Sequence, residues 1–393
     1  MPKLSIKDLD LKGKRVFIRV DFNVPIADGK VEDDTRIRAS LPTIRFILER
    51  AKKIIIASHL GRPDGKFVAK YSLAPVRDYL EQALHQTVVL APDCIGATVE
   101  SIVRDVNNRI VLLENLRFHK EEEKNDRAFS QALASLADVY VDDAFGAAHR
   151  AHASISGMVE FFKLKAAGLL MQKELDYLSP ILANPETPFV TIMGGAKVSD
   201  KIGVIRNLLP KVNALLIGGG MAYTFLKAQG LEVGRSLVEQ DKITVAAAII
   251  KDAGLHGVQI FLPVDHVTGD AEKKNPTTCE KRIPAERMGL DIGPKTAQIF
   301  ADEIRKARTV LWNGPVGLFE VPPYDQGSRT LATTLAENHG RVISIIAGGD
   351  TVAAVNAAGV EEKITHLSTG GGATLEFLEG KELPGIKALE DNV

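Results

Sequence analysis

The chain has 393 residues, of which 45% are hydrophobic and 25% are charged, and its formal net charge at pH 7 is −1. This composition is typical of a soluble globular protein of two or three domains, and the near-neutral charge argues against non-specific nucleic-acid binding, which needs a basic surplus. Residues 1–10 are too polar for a signal peptide, and the longest uncharged stretch in the middle of the chain (212–226) falls short of the roughly 20 residues of a membrane helix. We therefore expect a cytoplasmic protein that binds neither nucleic acid nor membranes.

Short apolar runs alternate with segments of helical spacing along the chain. In the first half the pattern predicts strands at 15–20, 53–58, 87–91, 109–113 and 138–142, and helices at 35–51 and 73–84. A helical segment over 169–182 and a proline-containing stretch over 179–188 precede a second half with the same alternation. Such alternation indicates parallel strands joined by right-handed crossovers. The expected fold class is α/β, with two Rossmann-like domains, each a parallel sheet flanked by helices, joined by a hinge.

The expected boundaries follow from this pattern. Residues 1–170 form the first domain, 171–188 an interdomain helix and hinge, and 189–375 the second domain. Residues 376–393 have no clear element, and the residues alone leave open whether they are a loose tail or pack back on the first domain.

Loops that follow the first-half strands carry cationic side chains. They span 19–25, 58–63, 114–122 and 142–154, and in open parallel sheets ligands bind beyond the carboxyl ends of the strands. Arginine suits phosphate and carboxylate because its planar fork donates two parallel hydrogen bonds. We therefore expect a cradle for a small, highly anionic substrate, formed by His59, Arg36, Arg62, Arg117 and Arg150. Arg38 and Arg45 are interpreted as ordinary surface arginines.

Asp21 and Asn23 are two residues apart in an extended stretch, so both side chains point the same way. One interpretation is a capping or turn role. The other is that they bind the hydroxyl and carboxylate side of the substrate.

Glycine is concentrated in the second half. Of the 33 glycines, 8 lie in residues 1–185, and four clusters of the second half (194–195, 218–220, 348–349 and 370–372) each lie at or near the end of an apolar run. Any one such turn is more often a plain connection. Together they indicate a nucleotide site, because a strand that ends in glycines and opens a helix leaves backbone N–H groups for phosphate.

Charged residues near these glycines suggest how a nucleotide is held. Lys197 and Lys201 are four apart at the predicted start of a helix, hence on one face, although no Walker A or G-x-G-x-x-G pattern occurs. Asp350 and Thr351 begin another predicted helix and are either N-cap residues or, beside a polyphosphate, a Mg²⁺ site at Asp350. Glu320 follows the run that ends in Asn313, where a carboxylate can accept hydrogen bonds from ribose.

The whole chain resembles phosphoglycerate kinases. The matching segments are RVFIRVDFNVP, SHLGRP, LLENLRFHKEEEKND, DDAFGAAHRAHAS, MGGAKVSDK, MGLDIGPK, WNGPVGLFE, AGGDTVAAV and STGGGATLEFLEG. The resemblance implies reversible glycolytic phosphoryl transfer between 1,3-bisphosphoglycerate and ADP to give 3-phosphoglycerate and ATP, in line and after hinge closure. It also implies a monomer that uses Mg²⁺ with its nucleotide, with 376–393 returning to the first domain. At 262–274 the chain departs from the family pattern, since His266 and Thr268 stand where small apolar residues are expected.

The resemblance also implies a role for each matched residue. Residues expected to bind 3-phosphoglycerate or its acyl phosphate are Asp21, Asn23, Arg36, His59, Arg62, Arg117 and Arg150. Residues expected to bind the nucleotide are Lys201, Gly289, Asn313, Glu320, Gly348, Gly349, Asp350 and Thr351, with Asp350 on the metal. Residues expected to act on the transferred phosphoryl group are Arg36, Lys197, Gly371 and Gly372.

Two other functions fit parts of the pattern. A nicotinamide-dependent dehydrogenase fits two Rossmann-like domains but not the missing G-x-G-x-x-G, and a non-catalytic binding protein for anionic metabolites does not need the glycine turns. Cys94 and Cys279 are far apart in sequence and are expected to be reduced core thiols, with no metal cluster indicated by their spacing.

Overall fold

The computed structural model describes residues 3–391. The chain forms two compact units, one of Met1–Asp176 with Glu382–Val393 and one of Tyr177–Lys381. Each unit contains one six-stranded sheet, and all strand pairs within these two sheets are parallel. The predicted α/β class, with two helix-flanked parallel sheets, is confirmed. Among the described residues, no helix combines the length and apolar character needed to cross a bilayer.

The first unit has its sheet in the order β5-β6-β4-β1-β7-β8, beside a two-stranded ribbon, β2-β3. Its strands are β1 (Arg15–Arg19), β2 (Ile26–Ala27), β3 (Lys30–Val31), β4 (Lys53–Ala57), β5 (Val89–Leu90), β6 (Ile110–Leu112), β7 (Val139–Asp142) and β8 (Lys165–Ala167). Its helices are α1 (Thr35–Arg50), α2 (Ala74–Leu84), α3 (Ala97–Arg104), α4 (Lys120–Glu123) and α5 (Arg127–Ala134), and α6 (Leu169–Ala183) continues from this unit into the next.

The core of this unit follows from the apolar pattern. Every residue of β4 is buried, as expected for a parallel strand covered on both faces. Ile37, Leu41, Ile44 and Leu48 of α1 recur every three or four residues, and all four are buried in the same core. The strand predicted at 87–91 is shorter than expected because β5 lies at the sheet edge and pairs only with β6.

The C-terminal segment contains a short helix, α14 (Pro384–Ala388), where the residues alone predicted no element. Its Gly385 amide donates to the Ala148 carbonyl over 2.9 Å. Lys3 and Asp391 form an ion pair of 2.6 Å. These contacts all lie within the first unit.

The second unit has its sheet in the order β11-β10-β9-β15-β16-β17, beside a smaller antiparallel sheet, β13-β12-β14. Its strands are β9 (Phe189–Met193), β10 (Ala214–Ile217), β11 (Gln259–Phe261), β12 (Asp265–Gly269), β13 (Thr277–Glu280), β14 (Met288–Ile292), β15 (Thr309–Asn313), β16 (Ile343–Ala347) and β17 (His366–Leu367). Its helices are α7 (Ile202–Leu208), α8 (Met221–Ala228), α9 (Ile243–Leu255), α10 (Pro294–Lys306), α11 (Gln326–Glu337), α12 (Gly349–Ala357) and α13 (Gly372–Leu378).

The strand order of the large sheet reverses between β9 and β15, where ligands bind in open α/β sheets. The loops that leave these two strands run side by side, since the Gly194 amide donates to the Asn313 carbonyl and the Gly195 amide to the Pro315 carbonyl, over 2.9 and 2.8 Å. A β-carbon on Gly194 would lie 2.2 Å from the Pro315 oxygen. Glycine is therefore required for the two loops to approach at this point.

Candidate active site

Asp21 is the centre of a polar group at the end of β1. Arg36 Nη1 lies 2.8 Å from Asp21 Oδ2. The Asn23 amide donates to Asp21 Oδ1 over 3.2 Å, and Asn23 Oδ1 accepts from the Gly61 amide over 2.9 Å. The turn role considered for this pair is therefore present, and it fixes the Asp21 carboxylate where Arg36 meets it.

Arg117 and Arg150 add positive charge to the same region. Arg117 is buried, and its Nη1 donates to the Gly61 carbonyl over 2.8 Å. Burial, followed by the charge of Arg150, lowers the pKa of Arg117 to about 10. Arg150 donates from Nε to His149 Nε2 over 3.2 Å, while Arg62, the residue after Gly61, is exposed. The first turn of α1 and the loops after β4, β6 and β7 thus bring the predicted arginines into one region of the first unit.

Arg19, the last residue of β1, is a buried arginine that the sequence analysis did not select. Its Nε donates to Ser154 Oγ over 2.8 Å, and Ser154 Oγ donates to Glu122 Oε1 over 2.5 Å. Its Nη2 lies 3.1 Å from His59 Nδ1. Because guanidinium only donates, Nδ1 accepts and a neutral His59 carries its proton on Nε2. The signal in the sequence was a charged residue at the carboxyl end of a strand with an apolar centre.

His59 and His152, two histidines of this region, are neutral near pH 7. Burial, followed by the charges of Arg19 and Arg117, holds the pKa of His59 well below its usual range. Burial and then Arg117 lower the pKa of His152 to about 3. Neither ring therefore adds positive charge near pH 7, where the arginines are charged. Such a region favours a multiply charged anion.

A cavity of about 490 Å³ lies in the second unit. Three of the residues predicted to bind nucleotide line it: Gly289, Glu320 and Asp350. The other lining residues are Gly195, Ala196, Gly219, Gly220, Tyr223, Arg235, Leu237, Lys273, Met288, Leu290, Pro315, Gly317, Leu318 and Phe319. This combination of size, apolar wall and few polar groups is typical of a small-molecule site. Leu237 is 51% exposed at the wall, an apolar surface available to a planar ring.

Asn313 and Thr351 hold the edge of the sheet next to this cavity. Asn313 accepts a hydrogen bond from Lys201 Nζ and donates to the Ala347 carbonyl over 2.9 Å. Thr351 Oγ1 accepts from the Gly314 amide over 2.7 Å and donates to the same carbonyl over 2.9 Å. Both side chains are fully buried, and burial lowers the pKa of Lys201. In this structure the two side chains shape the loop ends, and neither lines the cavity.

Two helices begin at predicted glycines. Helix α12 begins at Gly349, directly after Gly348, and carries Asp350 in its first turn; α13 begins at Gly372, directly after Gly371. β-Carbons added at Gly349, Gly371 and Gly372 would meet no atom within 4 Å. The amide ends of both helices are therefore open to an anion.

The prediction that Lys197 and Lys201 lie on one helix face was wrong. Helix α7 begins only at Ile202, so Lys201 directly precedes it and Lys197 lies in the loop after β9. The intervening turn is held by Glu239, whose carboxylate accepts from the amide and hydroxyl of Ser199 over 3.0 and 2.6 Å. Glu239 is 40 residues further along the chain, and because it holds Ser199 in a turn, the helix begins only after that turn. Lys197 is exposed.

His266 and Thr268, the departures from the family pattern, lie behind the cavity wall. Both are fully buried, and the His266 ring packs against Tyr223 with centroids 5.6 Å apart. Burial lowers the pKa of His266 to about 4, so the ring is neutral near pH 7. Thr268 Oγ1 donates to the Thr277 carbonyl over 3.0 Å. His266 therefore affects the cavity by packing against Tyr223, which lines it. Thr268 acts only through its hydrogen bond to the neighbouring strand.

Asp291 lies behind the cavity, and its raised pKa predicts that the stability of the protein depends on pH. Its carboxylate accepts from the amides of Ile292 and Gly327 over 2.8 and 2.7 Å, and burial raises its pKa from 3.8 to about 8. A carboxyl with a higher pKa in the folded protein contributes stability that is present below pH 4 and is lost as the pH rises through 8.

We therefore expect the stability difference between the wild type and Asp291→Asn to change with pH. At pH 5 the variant is less stable than the wild type, because one of its side-chain N–H groups faces a backbone N–H donor. By pH 8 the difference in stability is smaller, because the wild type has lost the contribution of its protonated carboxyl. Urea unfolding of both proteins at several pH values measures this; a gap that stays constant would contradict the raised pKa.

Comparisons with known proteins identify the family of the chain. A family model described as phosphoglycerate kinase matches residues 6–381. A phosphoglycerate kinase of Koribacter versatilis is 57% identical over 401 residues and covers 99% of each chain, and the cytosolic phosphoglycerate kinase of Triticum aestivum is 52% identical and covers 98% of each. The solved phosphoglycerate kinase of Coxiella burnetii is 40% identical, with a TM-score of 0.89 and 98% of each chain covered. The chain therefore belongs to the phosphoglycerate kinase family.

Proposed function

We propose that the two substrates of the family's reaction bind at two sites. One is the basic cluster of the first unit, formed by Arg36, Arg62, Arg117 and Arg150, and the other is the cavity of the second unit. The chain is a kinase that catalyses the glycolytic, ATP-generating phosphoryl transfer from 1,3-bisphosphoglycerate to ADP. The proposal concerns which residues do this and how.

We propose that 3-phosphoglycerate and its acyl phosphate bind among Asp21, Asn23, Arg36, His59, Arg62, Arg117 and Arg150. The arginines match the phosphate and carboxylate groups bidentately. Neutral His59 carries its proton on Nε2 and so offers a donor without adding charge. Arg19 acts beneath the cluster by fixing the tautomer of His59.

The nucleotide is proposed to occupy the cavity lined by Gly289, Glu320 and Asp350. The apolar wall suits the base, Glu320 suits the ribose hydroxyls, and the open amide ends at Gly348, Gly349, Gly371 and Gly372 suit the phosphates. Lys201, Asn313 and Thr351 are proposed to act at its edge, the latter two by holding the loops in place.

Asp350 fits the magnesium ion that the family uses with its nucleotide. Its carboxylate is exposed at the cavity and lies in the first turn of α12, and Mg²⁺ prefers carboxylate and phosphate oxygens. When bound, the ion neutralises charge on the polyphosphate. Asp350 would hold it there.

Phosphoryl transfer depends on positioning and charge neutralisation more than on covalent chemistry. The acceptor oxygens are already anionic, so no general base is needed. We propose that Arg36 and Lys197 flank the moving phosphoryl group, with the amides at Gly371 and Gly372 beside it. Since donor and acceptor must meet in line and away from water, we propose that the units close on their ligands through the 171–188 segment.

The observation that carries this proposal is the pairing of chemistries: arginine loops in one unit and glycine turns around a nucleotide-sized cavity in the other. A coupled assay of ATP formation from 1,3-bisphosphoglycerate and ADP tests the activity directly. A purified protein that binds both ligands but forms no ATP would favour a binding protein instead. We further propose that the enzyme is a cytoplasmic monomer, which light scattering of the purified chain and fractionation of its host would test.

Replacing Asp350 with alanine is expected to weaken binding of the Mg-nucleotide while leaving metal-free nucleotide binding almost unchanged. The affinity for the Mg-nucleotide should fall at least roughly 10–100-fold, because removing even an outer-shell partner of a metal site weakens metal binding by that factor. Calorimetry with ADP at several Mg²⁺ concentrations measures it. Asp302→Ala removes an equal charge from the exposed face of α10 and should bind as the wild type does; an unchanged Mg²⁺ dependence in Asp350→Ala would refute the metal role.

A further inference from the structure

Three side chains of different chemistry meet in the first unit outside the basic cluster. Asp93 and Cys94 follow β5, and His119 follows β6. Their candidate ligand atoms, a carboxylate oxygen, a sulfur and a ring nitrogen, all lie within 4.8 Å of one another. Sequence spacing did not indicate this group, because 24 residues and one strand separate Cys94 from His119.

The three side chains are arranged with sulfur at the base and nitrogen and oxygen toward solvent. Cys94 is fully buried and its thiol donates to the Glu114 carbonyl over 3.0 Å. The side chains of Asp93 and His119 are 49% and 24% exposed, and Asp93 Oδ1 lies 2.6 Å from His119 Nε2. An ion can therefore reach the sulfur past these two side chains.

Packing and backbone contacts fix the directions of the exposed pair. The His119 ring packs against Phe129 with centroids 5.0 Å apart. Asp93 Oδ1 also accepts from the Cys94 amide over 2.6 Å. The imidazole and the carboxylate are thus both held facing the sulfur.

The surrounding charge favours a cation. The carboxylates of Asp93, Glu122 and Glu114 are close enough to the Cys94 sulfur to act on a charge there. A cation bound at the sulfur would be attracted by the same carboxylates and would displace the thiol proton to solvent.

We propose that Asp93, Cys94 and His119 form a binding site for a borderline-soft divalent metal ion of the Zn²⁺ type. One sulfur, one nitrogen and one oxygen form a donor set that suits zinc, with water in the fourth position of a tetrahedron. Ligand atoms in such a site lie about 3.3–3.6 Å apart, as follows from Zn–S and Zn–N/O bonds of about 2.3 and 2.0–2.1 Å. Asp93 and His119 therefore move apart slightly, and the ion takes the place of the proton they share. Mg²⁺ does not fit, because it requires octahedral oxygen ligation.

Occupation of this site has a structural consequence for the basic cluster. His119 lies two residues after Arg117, on the same loop. The ion would join the loop after β5 to the loop that carries Arg117 and so restrict its movement. Zinc should accordingly raise the melting temperature of the protein, since it binds only the folded site.

Cobalt titration of the reduced, nucleotide-free, full-length protein tests the proposal. We expect one equivalent of Co²⁺ to produce a thiolate-to-cobalt charge-transfer band in the near ultraviolet, which Zn²⁺ removes by displacement and excess Mg²⁺ does not. Cys94→Ser should abolish the band, whereas Cys279→Ser, the same chemical change at the other cysteine, should retain it. His119→Gln and Asp93→Asn, at the more exposed positions, should weaken Co²⁺ binding at least tenfold.

Circular dichroism of each variant establishes that it is folded, and if Cys94→Ser is not, the other two variants carry the test. A wild type without the band, or a band that persists in Cys94→Ser or is unaffected in both other variants, overturns the proposal. In that case Asp93 and His119 form only a hydrogen-bonded pair.

Discussion

Arg36→Ala is expected to lower kcat by about 10²–10³-fold, the cost of removing one charge-stabilising donor from a transition state. Arg36 lies in the first turn of α1 and its guanidinium is held by Asp21 at 2.8 Å. The variant loses the charge that we place beside the transferred phosphoryl group and also frees Asp21 to repel the anionic substrate. KM for 3-phosphoglycerate should therefore rise, while the Kd for ADP stays nearly the same.

Arg38→Ala is the matched control for this substitution. Arg38 is on the same helix and loses the same charge, but its side chain is 64% exposed and pairs with Asp34 on the helix surface. We expect it to leave kcat within about twofold of the wild type, because an exposed ion pair contributes little. If Arg36→Ala and Arg38→Ala changed kcat equally, Arg36 would have no specific role in the reaction.

Lys197→Ala is expected to produce a loss of kcat of similar size, about 10²–10³-fold. Lys197 is exposed in the loop after β9. We propose that its charge stabilises the moving phosphoryl group more strongly in the transition state than in the bound substrates. Both KM values should change little, since the interaction is strongest during transfer. Rapid-quench measurement of a single turnover separates this step from product release.

Lys251→Ala provides the comparison in the second unit. Lys251 is exposed on α9, and its removal changes the net charge equally. We expect normal turnover from this variant. A Lys197→Ala enzyme with near-normal single-turnover rates would show that another group neutralises the phosphoryl charge.

The five strands predicted in the first half, and helices α1 and α2, could be located because their signals are local. The apolar run at 53–58 predicted β4, and the spacing of Ile37, Leu41, Ile44 and Leu48 predicted the buried face of α1. The arginine loops could also be predicted, since the end of a parallel strand determines where its loop lies. These features depend on neighbours within a few residues.

The features that sequence reasoning missed depend on residues far apart in the chain. Arg19 is buried because Ser154, 135 residues later, accepts a hydrogen bond from its guanidinium and donates one in turn to Glu122. In the sequence, Glu122 is part of the charged run at 120–124, which is the pattern of a solvated surface. The start of α7 depends in the same way on Glu239. No local pattern contains this information.

The return of the C-terminal segment to the first unit has a consequence for how the protein is made. Buried Leu383 and Leu389, on either side of α14, belong to the first unit, yet the ribosome adds them after the whole of the second unit. A chain emerging from the ribosome can complete the second unit before the first, although domains generally fold in the order of their synthesis. Until these residues are added, part of the apolar surface of the first unit stays exposed, and such exposure makes a nascent chain prone to aggregation.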